Sequence, residues 1–237
     1  MPDAITPPPD PRVPESEVEL RAAGTRLAGT LWLPDAAIGL VAFVHGSGSS
    51  RFSPRNRRVA ETLRERSLAT LLLDLLTPSE EDLDTRTGSL RFDIAMLGER
   101  VSDVVAALAA DPTTSTLPLG LFGASTGAAA ALHAAAAQPG SVAAVVSRGG
   151  RPDLALEDLP RVRAPTLLIV GELDLPVVEM NRAALSALSG TKELALVPGA
   201  THLFEEPGAL GEVCERSGAW FTQHLRRYDG EVDGGPR

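Results

Sequence analysis

The chain has 237 residues, a length that suits one α/β domain, and its 43% hydrophobic and 22% charged residues are ordinary for a globular protein. A net charge of −9 argues against a nucleic-acid partner and against binding to anionic membranes. The single cysteine, Cys214, rules out an internal disulfide and a multi-thiolate metal centre, and it fits a reducing compartment. The four histidines, His45, His133, His202 and His224, show no metal-ligand spacing, so neither a metal nor another cofactor is expected. No apolar run approaches the length of a membrane span, and the N-terminus lacks the basic and apolar regions of a signal peptide. The expected location is therefore the cytoplasm. With aromatics at only 4%, the core has to be aliphatic.

Residues 1–14 hold six prolines and little apolar material, which predicts a disordered or extended tail. Residues 15–20 alternate polar and apolar side chains, Ala23-Gly24-Thr25 makes a turn, and residues 27–33 run apolar, so a β-hairpin is expected. Residues 38–44 form a continuous apolar strand of the kind covered on both faces. The strand ends at His45-Gly46-Ser47-Gly48, a loop of small residues with accessible backbone N–H groups. A helix over about 56–66 follows, with Ser53 as cap and Pro54 in its first turn. Residues 69–76 read as the next strand, 77–88 as an acidic loop, and 92–110 as a helix from the spacing of Ile94, Leu97, Val101, Val104, Val105 and Leu108. Strands are then expected over 117–122, 142–146, 165–170 and 193–197. Helices are expected over 128–137, 177–188 and 210–227, with a short connector over 152–163. Alternating strands and helices behind a leading hairpin predict one α/β domain over residues 15–228, built on a mostly parallel, doubly wound sheet with an antiparallel start. A flexible C-terminal tail covers 229–237, and no internal repeat is visible.

The stretch Gly123-Ala124-Ser125-Thr126-Gly127 lies between a strand and a helix. A serine at such a turn, with glycines two positions either side, has the geometry of a nucleophile elbow. The glycines are needed because side chains there would collide with the packed strand and helix. In an open parallel sheet the site forms beyond the carboxyl ends of the strands. The loop 45–48, Ser125, Arg148, Asp174 and His202 all fall at such ends. A serine hydroxyl needs a base, and the base needs a carboxylate to fix its tautomer. Ser125, Asp174 and His202 supply these in the chain order of the α/β-hydrolases. Glu172 is a rival for Asp174, and His45 more plausibly shapes its own loop. The N–H groups of Thr126 and Ser47 are the expected oxyanion donors, with Gly48 the less favoured alternative to Ser47. Arg148, Arg51 and His45 are candidates for substrate binding, a guanidinium being suited to carboxylate or phosphate. The arginines at 51, 55, 57 and 58 otherwise read as a solvated face.

These pieces resemble the α/β-hydrolase superfamily, and in particular its dienelactone-hydrolase-like branch: His45-Gly46-Ser47-Gly48, the elbow at 123–127, Gly171-Glu172-Leu173-Asp174 and Gly199-Ala200-Thr201-His202. The resemblance covers roughly residues 15–228 and implies a compact α/β-hydrolase fold without a large cap domain. It departs from the branch at the nucleophile, which in true dienelactone hydrolases is a cysteine and here is Ser125. The expected activity is a metal-independent serine hydrolysis of small acyl esters, thioesters or lactones. The alternatives are a non-catalytic protein of this fold that binds a ligand or partner, and a related enzyme such as an acyltransferase that uses the same triad. The expected partner is a small-molecule acyl substrate, with no nucleic acid and no membrane, and the oligomeric state is expected to be monomer or weak dimer.

Overall fold

A computed structural model describes residues 13–225, so the tail expected over 229–237 and nearly all of the proline-rich stretch lie outside the described residues. The hairpin forms as β1 (Ser16–Ala22) and β2 (Thr25–Trp32), closed by Ala23 and Gly24 at φ 45° and 74°. Two left-handed residues in a two-residue loop match the right-handed twist of the strands they join. Then follow β3 (Gly39–Val44), α1 (Pro54–Arg64), β4 (Leu68–Leu73), α2 (Pro78–Thr87), α3 (Ile94–Ala110), β5 (Leu119–Ala124) and α4 (Thr126–Ala137). The chain continues through β6 (Ala144–Arg148), two short 3-10 turns, β7 (Thr166–Gly171), α5 (Leu175–Ala187), β8 (Lys192–Val197) and α6 (Ala209–His224). The eight strands lie in the order β1-β2-β4-β3-β5-β6-β7-β8. The pairings β1/β2 and β2/β4 are antiparallel, and all the others are parallel.

The strands β3, β4, β5 and β7 are buried along their whole length, as their unbroken apolar runs require. Helices α3, α4 and α5 cover one face of the sheet and α1 and α6 the other. The alanines of α4 are buried nearly all round it, because small side chains let the helix sink between α3 and the sheet. Phe43 and Phe122, with ring centroids 4.9 Å apart, are the aromatic pair of an otherwise aliphatic core. From β3 the chain steps outward to β4 and then returns to β5 on the other side. The crevice at the carboxyl ends of β3 and β5 is thus the topological switch point.

One element departs from the expectation. Residues expected as an acidic loop form α2, and the signals for it stand in the sequence. Thr77 and Glu80 make a reciprocal capping box, Pro78 sits in the first turn, and Gly88 ends the helix at φ 67°. Its apolar face is almost empty, so the hydrophobic spacing used to find the other helices carried no information here. Side-chain clamps hold it instead: Arg100 of α3 makes a bidentate pair with Glu80, and the buried Asp84 carboxylate takes the Leu90 and Arg91 N–H groups and the Arg91 guanidinium. The strand expected over 69–76 ends at Leu73, and the one expected over 142–146 lies two residues later.

The elbow glycines fit because nothing larger would. A Cβ on Gly127 would come within 2.3 Å of the Val44 and His45 carbonyl oxygens, and one on Gly123 within 2.4 Å of the Ala128 Cα. All of these contacts are to backbone, which cannot turn aside. Gly127→Ala is expected to destabilise the fold by about 3 kcal/mol or more, the upper range of overpacking. Urea unfolding with a shift of midpoint is the check, and an unshifted midpoint would refute the packing described.

Candidate active site

Ser125 sits between β5 and α4 at φ 50°, ψ −122°. Such a conformation costs about 1–3 kcal/mol and persists only where its surroundings over-determine it. Here the Ser125 N–H donates to the Arg148 carbonyl at 3.1 Å, and the Ser125 carbonyl accepts from Ala128 N–H at 3.1 Å and Arg151 N–H at 3.0 Å. Gly46 closes in from the loop after β3, where a Cβ would lie 2.9 Å from the Ser125 Cβ.

The loops after β7 and β8 bring the other two groups. They pack so closely that a Cβ on Gly171 would stand 2.5 Å from the Ala200 and Thr201 carbonyl oxygens. Leu173 N–H donates to the Ala200 carbonyl, and the Glu172 carboxylate accepts from Gly199 N–H at 3.0 Å. Glu172 is therefore spent pinning one loop to the other. Asp174 faces the histidine instead: His202 Nδ1 lies 2.6 Å from Asp174 Oδ2. A proton on Nδ1 leaves Nε2 as the basic nitrogen. The ring packs beside Gly149, where a Cβ would be 3.5 Å from its Cε1. Gly149 follows the residue whose carbonyl holds the Ser125 N–H, so Ser125 and His202 are both positioned from the same strand end, β6. No hydrogen bond joins Ser125 Oγ to His202 among the described residues.

The expected oxyanion donors lie together on the opposite side. Thr126 N–H, at the first turn of α4, has no protein acceptor among the described residues. Ser47 N–H donates to Thr126 Oγ1 at 3.0 Å, and the two hydroxyls are also 3.0 Å apart. The side chain of Thr126, as opposed to its N–H, is a component that the motif did not reveal.

The remaining candidates separate. His45 is buried, accepts the Leu75 N–H at Nε2 (3.0 Å) and places Nδ1 2.9 Å from the Gly46 carbonyl. Both nitrogens are used within the fold, so the imidazole is neutral and shapes the glycine loop. Arg51 pairs with Asp74 and, at 3.0 Å, with Glu17, and it stacks on Phe52. Arg58 pairs with Glu61 on the helix surface. Arg148 is only 7% exposed and has no carboxylate partner among the described residues; its one hydrogen bond runs from Nη2 to Asn56 Oδ1 at 3.5 Å. Of the other histidines, His133 of α4 pairs with Asp158 at 2.7 Å, and His224 lies tilted against Trp220 in α6. Among the described residues no group of acids, histidines and cysteines could hold a metal ion, and no helix is long and apolar enough to cross a membrane.

Burial holds the His45 imidazole below its ordinary value of 6.5. The unfolded chain takes up a proton there that the folded chain refuses. The stability owed to neutral His45 is therefore full above pH 6.5 and falls as the solution is acidified below it. Between pH 7.5 and 5.5 (about one pH unit either side of an ordinary histidine), the urea midpoint of the native protein is expected to fall more steeply than that of His45→Gln. Parallel slopes would contradict this.

Residues 76–223 match the model of the family described as Dienelactone hydrolase family. The crystal structure of dienelactone hydrolase from Anabaena variabilis is 54% identical, with a TM-score of 0.88 over 90% of this chain and 99% of that one. Est1E from Butyrivibrio proteoclasticus, 16% identical, shares the fold with a TM-score of 0.74 over 88% of this chain and 98% of its own. Two Mycobacterium tuberculosis proteins that carry a provisional phosphoribosyl transferase name are 53% identical over 216 residues, which is 91% of this chain and 48% of theirs. The chain thus spans about half the length of the curated relatives it matches.

Proposed function

The chain belongs to the dienelactone hydrolase family, and we propose that it is a serine hydrolase of small acyl esters, thioesters or lactones that acts through an acyl-enzyme on Ser125. The observation that carries this reading is the 2.6 Å His202–Asp174 contact, set beside a serine in a strained elbow. His202 Nε2 takes the Ser125 proton as Oγ attacks the acyl carbon, and Asp174 stabilises the imidazolium that forms. The same imidazolium then protonates the leaving group. Water, activated by the neutral imidazole, releases the acyl group in a second pass over the same geometry.

Charge on the carbonyl oxygen would be met by Thr126 N–H and by Ser47 N–H. The Ser47 N–H is held on a neutral hydroxyl in the free protein. A developing oxyanion is a stronger acceptor than that hydroxyl, so the exchange of partners favours the transition state over the ground state. The exposed Leu173, Leu175 and Leu203 flank Asp174 and His202 and give the acyl portion an apolar edge to lie on. Between β6 and β7, where a cap could have been inserted, there are only the short turns Pro152–Ala155 and Leu159–Arg161. Water therefore has ready access, which favours hydrolysis over acyl transfer to another acceptor. We read the phosphoribosyl transferase name of the longer relatives as describing the half that this chain does not match. The single reduced cysteine, buried in α6, fits a cytoplasmic location.

A fluorophosphonate probe is expected to label the native protein and to leave Ser125→Ala unlabelled. On an aryl-ester panel, Asp174→Asn is expected to lower kcat by roughly 10⁴-fold, with Glu172→Gln far milder. A folded native protein that neither takes the probe nor turns over any ester, thioester or lactone would defeat the reading.

A further inference from the structure

Helix α5 is apolar where it meets the sheet, with one exception. Val177 and Val178 pack on Val170 of β7, and Ala184 joins the main core. Between them stands Asn181, 0% exposed. An apolar side chain of that size would pack there more favourably, because a buried amide needs partners at both ends. Asn181 has them at one end only. Its Nδ2 donates to the Gly150 carbonyl at 3.0 Å and to the Val177 carbonyl, one turn back, at 2.8 Å. Its Oδ1 is buried with no protein partner among the described residues. The two acceptors fix the orientation of the amide, since turning it over would set Oδ1 against both carbonyls. A side chain that breaks the apolar pattern and leaves one atom unsatisfied points to a service other than stability.

What the amide holds is the turn after β6. The Arg148 carbonyl accepts the Ser125 N–H at 3.1 Å, and Arg151 N–H donates to the Ser125 carbonyl at 3.0 Å. Residues 148–151 thus grip the main chain of Ser125 from both sides. Gly149, inside that grip, abuts His202: a Cβ on it would lie 3.3 Å from the His202 carbonyl oxygen and 3.5 Å from the ring Cε1. The turn has no slack, because a Cβ on Gly150 would stand 1.9 Å from Ser147 Oγ and 2.7 Å from the Ala128 Cβ. A shift of the Gly150 peptide therefore carries Gly149 and Arg151 with it. Two restraints oppose such a shift. One is the 2.7 Å bond from Gly149 N–H to the Ile169 carbonyl of β7, and the other is Asn181.

The helix that supplies the second restraint also presents the carboxylate. Asp174 is the N-cap of α5, and Asn181 follows it by seven residues (181 − 174). Seven residues make two turns, about 10 Å, and return to the same helix face. We propose that Asn181 is a positioning residue: through the Gly150 carbonyl it locks residues 148–151 to α5, and so sets Ser125 and His202 against Asp174 as one unit. For its effect on turnover the proposal rests on the reading of Ser125 as the nucleophile. Asn181 is buried beneath the turn and acts through it on geometry alone. A misplacement of about 1 Å costs about 100-fold in rate. With β7 restraining Gly149 in parallel, the loss approaches that figure without exceeding it.

Asn181→Leu keeps the volume and removes the donor. Its kcat on an aryl ester is expected to fall by about 10- to 100-fold with KM nearly unchanged. In the same variant, hydrogen exchange at the Ser125 and Arg151 N–H groups, followed by NMR, is expected to quicken by about 10-fold, as a hydrogen bond holding their turn is lost. Val178→Ala is the control, since it loosens the same helix against Val170 without touching the turn. It is expected to lower the urea midpoint and to leave kcat and both exchange rates near native. Asn181→Ser, whose shorter hydroxyl reaches only back to the Val177 carbonyl, should behave as the leucine variant and serves if that one fails to fold. Native kcat or native exchange in a folded Asn181 variant overturns the proposal, as does a loss of kcat in Val178→Ala in step with its stability. A native protein that turns over no ester defeats the hydrolase reading instead. The exchange rates, which involve no turnover, still decide whether Asn181 holds the turn.

Discussion

The arrangement depends on the backbone of one residue. Ser125 at φ 50°, ψ −122° is held in a conformation that an unconstrained serine avoids, and three hydrogen bonds to its main chain keep it there. Each bond comes from a different direction: β6 through Arg148, α4 through Ala128, and the turn after β6 through Arg151. The glycines at 46, 123 and 127 are the steric counterpart, since each stands where a Cβ would meet backbone or the Ser125 side chain. Strand, helix and loop can then close on the serine without displacing it. The strain is offset by the sheet beneath, whose central strands are buried on both faces.

Asp174 and His202 are placed by a second constraint of the same kind. The loops after β7 and β8 approach so closely at Gly171 that their carbonyls leave no room for a side chain. Glu172 and Asp174 divide the work. The first holds the Gly199 N–H and sets the distance between loops, and the second is left to orient His202. By position in the chain, the Glu172 carboxylate is interchangeable with that of Asp174. The fold distinguishes them by giving one a backbone partner and the other an imidazole. On the far side, Thr126 holds the loop after β3 with its hydroxyl, while its N–H has no protein acceptor among the described residues.

Much of this was legible in the sequence because the signals were steric or periodic. The apolar runs located the strands, the Gly-x-Ser-x-Gly turn located the serine between β5 and α4, and Asp174 and His202, picked by their places after strands, do lie 2.6 Å apart. Helix α2 was missed because its evidence is capping chemistry, Thr77 with Glu80 and Gly88, and not hydrophobic spacing. The roles of Arg51, His45 and Arg148 could not be separated by position, since all three follow buried strands. What separates them is partnership within the fold: Asp74 and Glu17 for Arg51, Leu75 and Gly46 for His45, and, among the described residues, no acid for Arg148. Apart from Gly46, which follows His45 directly, those partners lie far away in sequence, and only the assembled sheet brings them into view.

The central claim is that Ser125 carries the acyl group. Mixing the protein with an activated aryl ester, quenching in acid within the first turnover and weighing the intact chain tests it directly. The account predicts a mass gain equal to the acyl group, located by digestion on the peptide holding Ser125, and absent when that serine is alanine. Turnover of the ester with no covalent acyl group at any time, or an adduct elsewhere on the chain, would contradict it.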